Sequence, residues 1–139
     1  IRDRLEPVAL AAASFVSLLS HGTRPVQLPP DGPVLHAAST TFTAEGGPEC
    51  DVTVVKIGDV TLATVPVELF GELSLRLRQK LPGPVLVSTL TNGWQSYLPN
   101  EDAFAEGEYE IRNSRHGGFE PGDGEALIDA LVALAEGLP

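Results

Sequence analysis

Cysteine, positive charge and long apolar runs are all scarce in this sequence. Cys50 is the only cysteine among 139 residues, so the chain can form neither an internal disulfide nor a cysteine-rich metal cluster. Nine lysines and arginines stand against 19 aspartates and glutamates, and the net charge of −10 repels phosphate backbones and anionic membrane surfaces. No apolar run approaches the roughly 18 residues that span a bilayer. We therefore expect no nucleic-acid partner and no transmembrane segment.

The length and composition favour one globular unit over residues 1–139. Hydrophobic residues make up 42% of the chain and charged residues 20%, which suffices for one sizeable core. The chain begins at Ile1, and its first residues lack the order of a secretory signal. We expect that processing or truncation removed preceding sequence, and the localisation stays open.

The first half of the chain predicts a helix followed by strands. Apolar residues recur at helical spacing over residues 4–20, and a proline-rich loop follows over residues 22–32. Residues 34–43 are rich in β-branched side chains, which are typical of strands. Residues 51–57 and 60–65 are predicted to form two further strands, joined by a two-residue turn.

The second half predicts a strand–helix–strand unit and a closing helix. Leu69, Leu73 and Leu77 share one helical face after Pro66, and this helix should end at residues 81–83. Residues 84–90 form a compact apolar run, as in a strand buried on both faces of a parallel sheet. A last helix, capped by Asp123 and ending near Leu138, is expected to cover a sheet face. The fold class is therefore α/β, a mixed sheet flanked by helices that includes a βαβ unit.

Two segments of this predicted fold are candidates for a binding site. In open α/β sheets, ligands collect beyond the carboxyl ends of parallel strands. Residues 64–68 end a strand and should present the carboxylate of Glu68 at the start of a helix. Residues 91–97 leave the next strand with several polar and aromatic side chains, among them Tyr97.

These residues resemble the end of the catalytic domain of neutral ceramidases. The resemblance is carried by Pro66-Val67-Glu68 before an amphipathic helix, by Asn92 with Tyr97 five residues on, and by the pair Tyr109-Glu110. It covers residues 52–138 and implies that the chain is the C-terminal part of a larger catalytic domain, with the remainder upstream. In that family a zinc-bound water hydrolyses an N-acyl amide such as ceramide, and members are often secreted or found at membrane surfaces.

The resemblance also implies roles for three residues. Glu68 and Tyr97 match the glutamate and tyrosine that hold the family's Zn²⁺ together with two upstream histidines. Carboxylate and phenolate oxygens are suitable zinc donors, and zinc lowers the pKa of a bound water to about 7. Tyr109 matches the family's second tyrosine, whose phenol lies near the reacting carbonyl oxygen and suits an oxyanion donor.

The chain also departs from the family pattern, which keeps alternatives open. Val67 stands where the family usually has glycine, and the histidine motifs and the Asp-x-Ser-Pro-Asn segment are absent. We therefore expect no activity from this chain alone. One alternative is a binding or structural module without metal, and another is a hydrolase of a different amide or ester. Without the resemblance, Glu68 is a first-turn helix residue and Tyr97 an aromatic at the edge of the core.

Three neighbouring features have simpler interpretations. Asn92-Gly93 favours a turn, because both residues tolerate positive φ. Trp94 is interpreted as a packing residue rather than a substrate-stacking one. His116 is predicted to lie in a loop, where a lone histidine is usually solvated.

Overall fold

The computed structural model describes residues 35–139, so the predicted helix over residues 4–20 and the loop over 22–32 lie outside the described part. No helix in that described part has the length and apolarity to cross a membrane. The elements are, in chain order, β1 (Leu35–Thr43), β2 (Glu49–Ile57), β3 (Val60–Thr64), β4 (Glu68–Leu69), α1 (Gly71–Lys80), β5 (Val85–Ser88), β6 (Tyr97–Leu98), a 3₁₀ helix (Glu101–Ala105), α2 (Tyr109–His116) and α3 (Asp123–Glu136).

Strands β1, β2, β3 and β5 form a four-stranded mixed sheet in that order. The β1–β2 and β2–β3 pairs are antiparallel, with the predicted two-residue turn at Gly58 and Asp59 between β2 and β3. Gly58 has a φ of 61°, a value that favours glycine in a hairpin turn. The β3–β5 pair is parallel, and α1 connects its two strands. The α/β class and the βαβ unit are thus confirmed.

The main core lies between one face of this sheet and helices α1 and α3. The core-facing side chains recur at every second residue along the strands and about every 3.6 residues along the helices. Burial of this kind is the principal stabilising contribution, at roughly 25 cal/mol per Å² of apolar surface. The fully buried members include Cys50, Val52 and Val54 of β2, Leu73 and Leu77 of α1, and Leu127, Ile128 and Leu131 of α3.

A smaller cluster lies on the opposite face of the sheet. Val55 and Ile57 of β2 are buried there beside Leu35 and Leu62. Leu86 of β5 pairs with Leu62 but is 52% exposed, because β5 is the edge strand of the described sheet. The prediction that this strand is buried on both faces is therefore wrong.

Helix α1 begins at Gly71, later than predicted. Leu69 belongs to β4, and Phe70 is the N-cap with an extended backbone. The Glu68 N–H donates to the Ser96 carbonyl oxygen at 2.9 Å, in the register of a parallel strand pair. This pairing holds Glu68 in an extended conformation, so its predicted position at the start of a helix is wrong.

Helix α3 begins where the sequence predicts, with the cap shifted by one residue. Gly122 is the N-cap at a φ of 95°, and Asp123 is the first helical residue. The Asp123 carboxylate accepts a 2.8 Å hydrogen bond from the Glu120 N–H, and so still closes the turn before the helix. The helix packs on β1 and β2, as expected for one that covers a sheet face.

Candidate metal and catalytic site

Glu68 and Tyr97 lie directly opposite each other in the two-stranded parallel sheet formed by β4 and β6. Both residues are half-buried. Partners in a strand pair direct their side chains to the same face, so the carboxylate and the phenol share one surface. The structure therefore brings together the two residues that the sequence analysis proposed as zinc ligands.

The segment that leads from β5 to β6 has an unusual backbone. Leu90, Asn92 and Ser96 have φ values of 53°, 64° and 87°, and within residues 35–139 they are the only non-glycine residues with positive φ. Gly93, at 152°, completes the turn expected at Asn92-Gly93. Such conformations cost of the order of 1–3 kcal/mol each and persist only where the surroundings impose them.

Hydrogen bonds to the chain before β4 impose this conformation. Leu90 donates its N–H to the carbonyl oxygen of Val67 at 3.2 Å, and Gln95 donates to that of Pro66 at 2.7 Å. Thr91 donates likewise to Val65 at 3.0 Å. The segment carrying Tyr97 is thus held to the segment carrying Glu68 on both sides of the turn.

Trp94 lies at the outer side of this turn. Its indole Nε1–H donates to Oε1 of Glu68 at 3.4 Å, and the residue is 62% exposed. The interpretation of Trp94 as a packing residue is therefore wrong. Its contact with Glu68 was not predicted, because the strand pairing that brings the two together has no signature in the local sequence.

Tyr109, the first residue of α2, lies against Tyr97. The two ring centroids are 6.1 Å apart, and the ring planes are inclined by 75°, an edge-to-face arrangement. Tyr109 is 58% exposed, so its ring borders solvent. The hydroxyl of Ser96 donates to the carbonyl oxygen of Asn113 at 2.9 Å and joins α2 to the chain just before β6.

An open groove of about 460 Å³ lies beside the pair. Glu68 and Tyr97 form part of its wall, and the segment before α2 and its first turn supply more carboxylates, with no basic side chain in the wall. The sequence analysis overlooked this acidic wall, although the density of glutamates over residues 106–110 is visible in the sequence. The lining residues are Glu68, Leu69, Phe70, Gly71, Tyr97, Glu106, Glu108, Glu110 and Ile111.

The surroundings of Tyr97 disfavour its ionised form. Desolvation raises the pKa of the phenol above its ordinary value of 10.0, and the negative charge of Glu68 raises it further. Without a cation, the neighbouring carboxylate therefore keeps Tyr97 protonated. A bound cation has the opposite effect on a coordinating phenol, because its charge favours the deprotonated form.

The donor chemistry of this pair fits one side of a zinc site. Glu68 supplies carboxylate oxygens and Tyr97 a phenolic oxygen, and a catalytic zinc usually takes three protein ligands plus water. Across residues 35–139, no group of three or more His, Cys, Asp and Glu side chains is arranged to hold a metal ion.

His116 lies apart from this groove. It is the last residue of α2 rather than a loop residue, which corrects the prediction, and its Nδ1 is 2.8 Å from the carbonyl oxygen of Arg112. It lines a separate cavity of about 280 Å³, together with Trp94 and Asn113. The structure therefore does not bring His116 to Glu68 and Tyr97.

Comparison with known proteins gives matches at the level of structure. No protein-family model and no curated protein matches the chain. The solved structures that share its fold include a ceramidase complexed with C2 and the neutral ceramidase of Pseudomonas aeruginosa. Each match has a TM-score of 0.56 and 20% sequence identity, and it covers 65% of this chain and 15% of the solved chain.

The resemblance predicted from the sequence is thereby confirmed for the fold. This chain spans a small share of the length of the proteins that it matches, so the likeness concerns only a part of them. It has the mixed α/β fold found in part of the neutral ceramidase structure.

Proposed function

We propose that this chain is part of a zinc-dependent amide hydrolase of the neutral ceramidase type, which acts on an N-acyl amide such as ceramide. One observation carries the proposal: Glu68 and Tyr97 are opposite each other in register, with the ring of Tyr109 against Tyr97. The shared fold supports it, because one of the similar structures is a ceramidase complexed with C2.

In this proposal, Glu68 and Tyr97 are two of the metal ligands, and the remainder of a larger catalytic domain supplies the others. Bound zinc would supply a Lewis acid and a water of lowered pKa. The chain's own contribution is geometric, because the β4–β6 pairing sets the spacing of the two oxygen donors before any metal binds. Such preorganisation reduces the entropy lost when a site forms.

Tyr109 is assigned the role of hydrogen-bond donor to the substrate's carbonyl oxygen. Its exposure leaves it accessible to a bound substrate, and its contact with Tyr97 keeps it beside the ligands. A phenol aimed at the oxygen that gains negative charge stabilises the transition state. Removal of one such donor typically costs about 3 kcal/mol of that stabilisation.

The charge of the groove restricts the substrate class. Its wall carries four glutamates and no lysine or arginine, so an anionic substrate would be repelled. A neutral amide meets no such penalty, and hydrolysis turns its nitrogen into an amine that is cationic at neutral pH. The groove therefore suits a neutral amide or lipid amide and an amine product.

Zinc content is the first test. Elemental analysis of the full-length protein, purified without added metal, should give about one zinc per chain. The Glu68→Ala and Tyr97→Phe variants should lose zinc or bind it more weakly, since each removes one donor oxygen. Turnover of N-acyl amides should fall in parallel, whereas Tyr109→Phe should lower turnover and keep the zinc.

A binding or structural module on the same scaffold is the second candidate. The small number of metal ligands favours this candidate, since the described residues bring only two of the proposed ligands together. Absence of zinc from the full-length protein would support this module and contradict the hydrolase. Zinc binding with turnover of another amide or an ester, but not of ceramide, would support a hydrolase of different specificity.

A further inference from the structure

We propose that Trp94 is a positioning residue for Glu68, and that it occupies one carboxylate oxygen so that the other is directed to the metal. The inference rests on the proposed function. Its first support is the hydrogen bond from the Trp94 indole N–H to Oε1 of Glu68, at 3.4 Å.

The chemistry of indole suits this role. The Nε1–H of tryptophan donates a hydrogen bond and has no lone pair for a metal, so it cannot compete with Glu68 as a ligand. A ligating carboxylate is commonly hydrogen-bonded at its other oxygen, which fixes its orientation. Loss of such an outer partner typically weakens metal affinity 10–100-fold.

The backbone around Trp94 supports the same role. Asn92, Gly93 and Ser96 keep positive φ values on both sides of it, and the Gln95 N–H bonds the carbonyl oxygen of Pro66 at 2.7 Å. The indole therefore extends from a turn that is attached to the chain just before Glu68. A strained turn held in this way gives a side chain a defined position without burying it.

The exposure of Trp94 separates this role from a role in the core. The residue is 62% exposed and is absent from the buried clusters of the described residues. Its replacement should therefore leave the fold nearly as stable. A packing residue would show the reverse behaviour, with a loss of stability and no specific effect on the metal.

The experiment compares zinc affinities in the full-length protein by competition with a chromogenic chelator. Trp94→Phe removes the N–H and should weaken zinc binding 10–100-fold, with little change in the melting temperature of the zinc-free protein. Trp94→Gln restores an N–H donor and should recover part of the affinity. Leu75→Ala is the control, since Leu75 is 56% exposed on α1 and does not line the groove beside Glu68.

The outcomes distinguish this inference from the proposed function. Unchanged zinc affinity in Trp94→Phe, with weaker binding in Glu68→Ala, would overturn the role of Trp94 and leave the hydrolase proposal standing. An equal loss of zinc affinity in Trp94→Phe and Trp94→Gln, together with a lower melting temperature of the zinc-free protein, would also overturn the role of Trp94. Lost packing would then explain the weaker zinc binding. A wild-type protein without zinc affinity would overturn both.

Discussion

Glu68 and Tyr97 are partners in a parallel strand pair, although a helix and a strand separate them in the chain. The backbone bond from Glu68 to Ser96 and the turn bonds to Val67 and Pro66 hold the two segments together. The spacing of the carboxylate and the phenol is thus a property of the backbone. Substitutions that move the backbone here should affect the pair even when they leave both side chains intact.

Glu68→Gln should lower the pKa of Tyr97. Desolvation and the charge of Glu68 both raise this pKa, so removal of the charge should shift it toward 10.0, while desolvation keeps part of the shift. Ultraviolet absorbance of phenolate in this chain without metal measures the shift, because Tyr97 and Tyr109 are its only tyrosines. Tyr97→Phe identifies the signal of Tyr97. An unchanged pKa of Tyr97 in Glu68→Gln would contradict the effect of the Glu68 charge.

The same shift predicts a dependence of stability on pH. The folded state holds the Tyr97 proton more tightly than the unfolded chain does, because its folded pKa is raised. The associated stability is therefore fully present below the unfolded pKa and is lost as the pH rises through the folded pKa. Denaturant unfolding at rising alkaline pH should show a smaller loss in Tyr97→Phe than in the wild type.

Gly117→Ala should destabilise the contact between α2 and the segment before β6. A Cβ at Gly117 would lie 2.8 Å from the Cβ of Ser96 and 3.3 Å from the carbonyl oxygen of Gln95. The resulting displacement should lower the free energy of unfolding by about 1–3 kcal/mol, measured by urea titration. Gly71→Ala is the matched control, because the Cβ it would add has no atom within 4 Å apart from its chain neighbours and its own helix backbone. Equal stability of the two variants would argue against the close packing.

Cys50 should be unreactive toward thiol reagents in the folded protein. It is fully buried in β2, and burial, with smaller contributions from Asp51 and Asp123, raises its pKa from 9.0 to about 11. A rise of this size reduces the thiolate fraction about 100-fold at pH 8, and burial blocks access as well. An aromatic disulfide reagent should label the protein only after unfolding in guanidinium, and rapid labelling of the folded protein would contradict the burial.

Glu125→Ala should cost more stability than Arg76→Ala. The Glu125 carboxylate accepts a 2.6 Å bond from Arg76 and also accepts the Glu101 N–H at 3.2 Å. Loss of Arg76 removes only a half-exposed ion pair, worth under ~1 kcal/mol. Loss of Glu125 also leaves a backbone donor without its partner, for a total of about 1–2 kcal/mol. Urea titrations of both variants measure the difference in their free energies of unfolding. Equal losses of stability would show that the hydrogen bond to Glu101 does not stabilise the fold.

Most of the elements could be predicted from local patterns. The alternation in β2, the glycine turn before β3 and the leucine spacing of α1 and α3 each depend on residues close together in the chain. The errors arose where distant segments meet. Leu69 continues the helical spacing, yet it forms a strand because β6 pairs with β4, and Leu86 is apolar yet exposed because no strand follows β5 in the described sheet.

The amino-acid sequence was enough to predict the α/β class, to exclude an internal disulfide, and to select Glu68, Tyr97 and Tyr109 as candidate site residues. These predictions rest on periodicity, composition and a motif resemblance, all of which can be identified in the sequence without knowing which distant segments meet. The tertiary structure was needed to show that Glu68 lies opposite Tyr97, that Trp94 donates a hydrogen bond to Glu68, and that carboxylates line the groove. Pairing between segments far apart in the chain depends on closing long loops and on packing a common core, and local residue preferences do not encode which segments will meet.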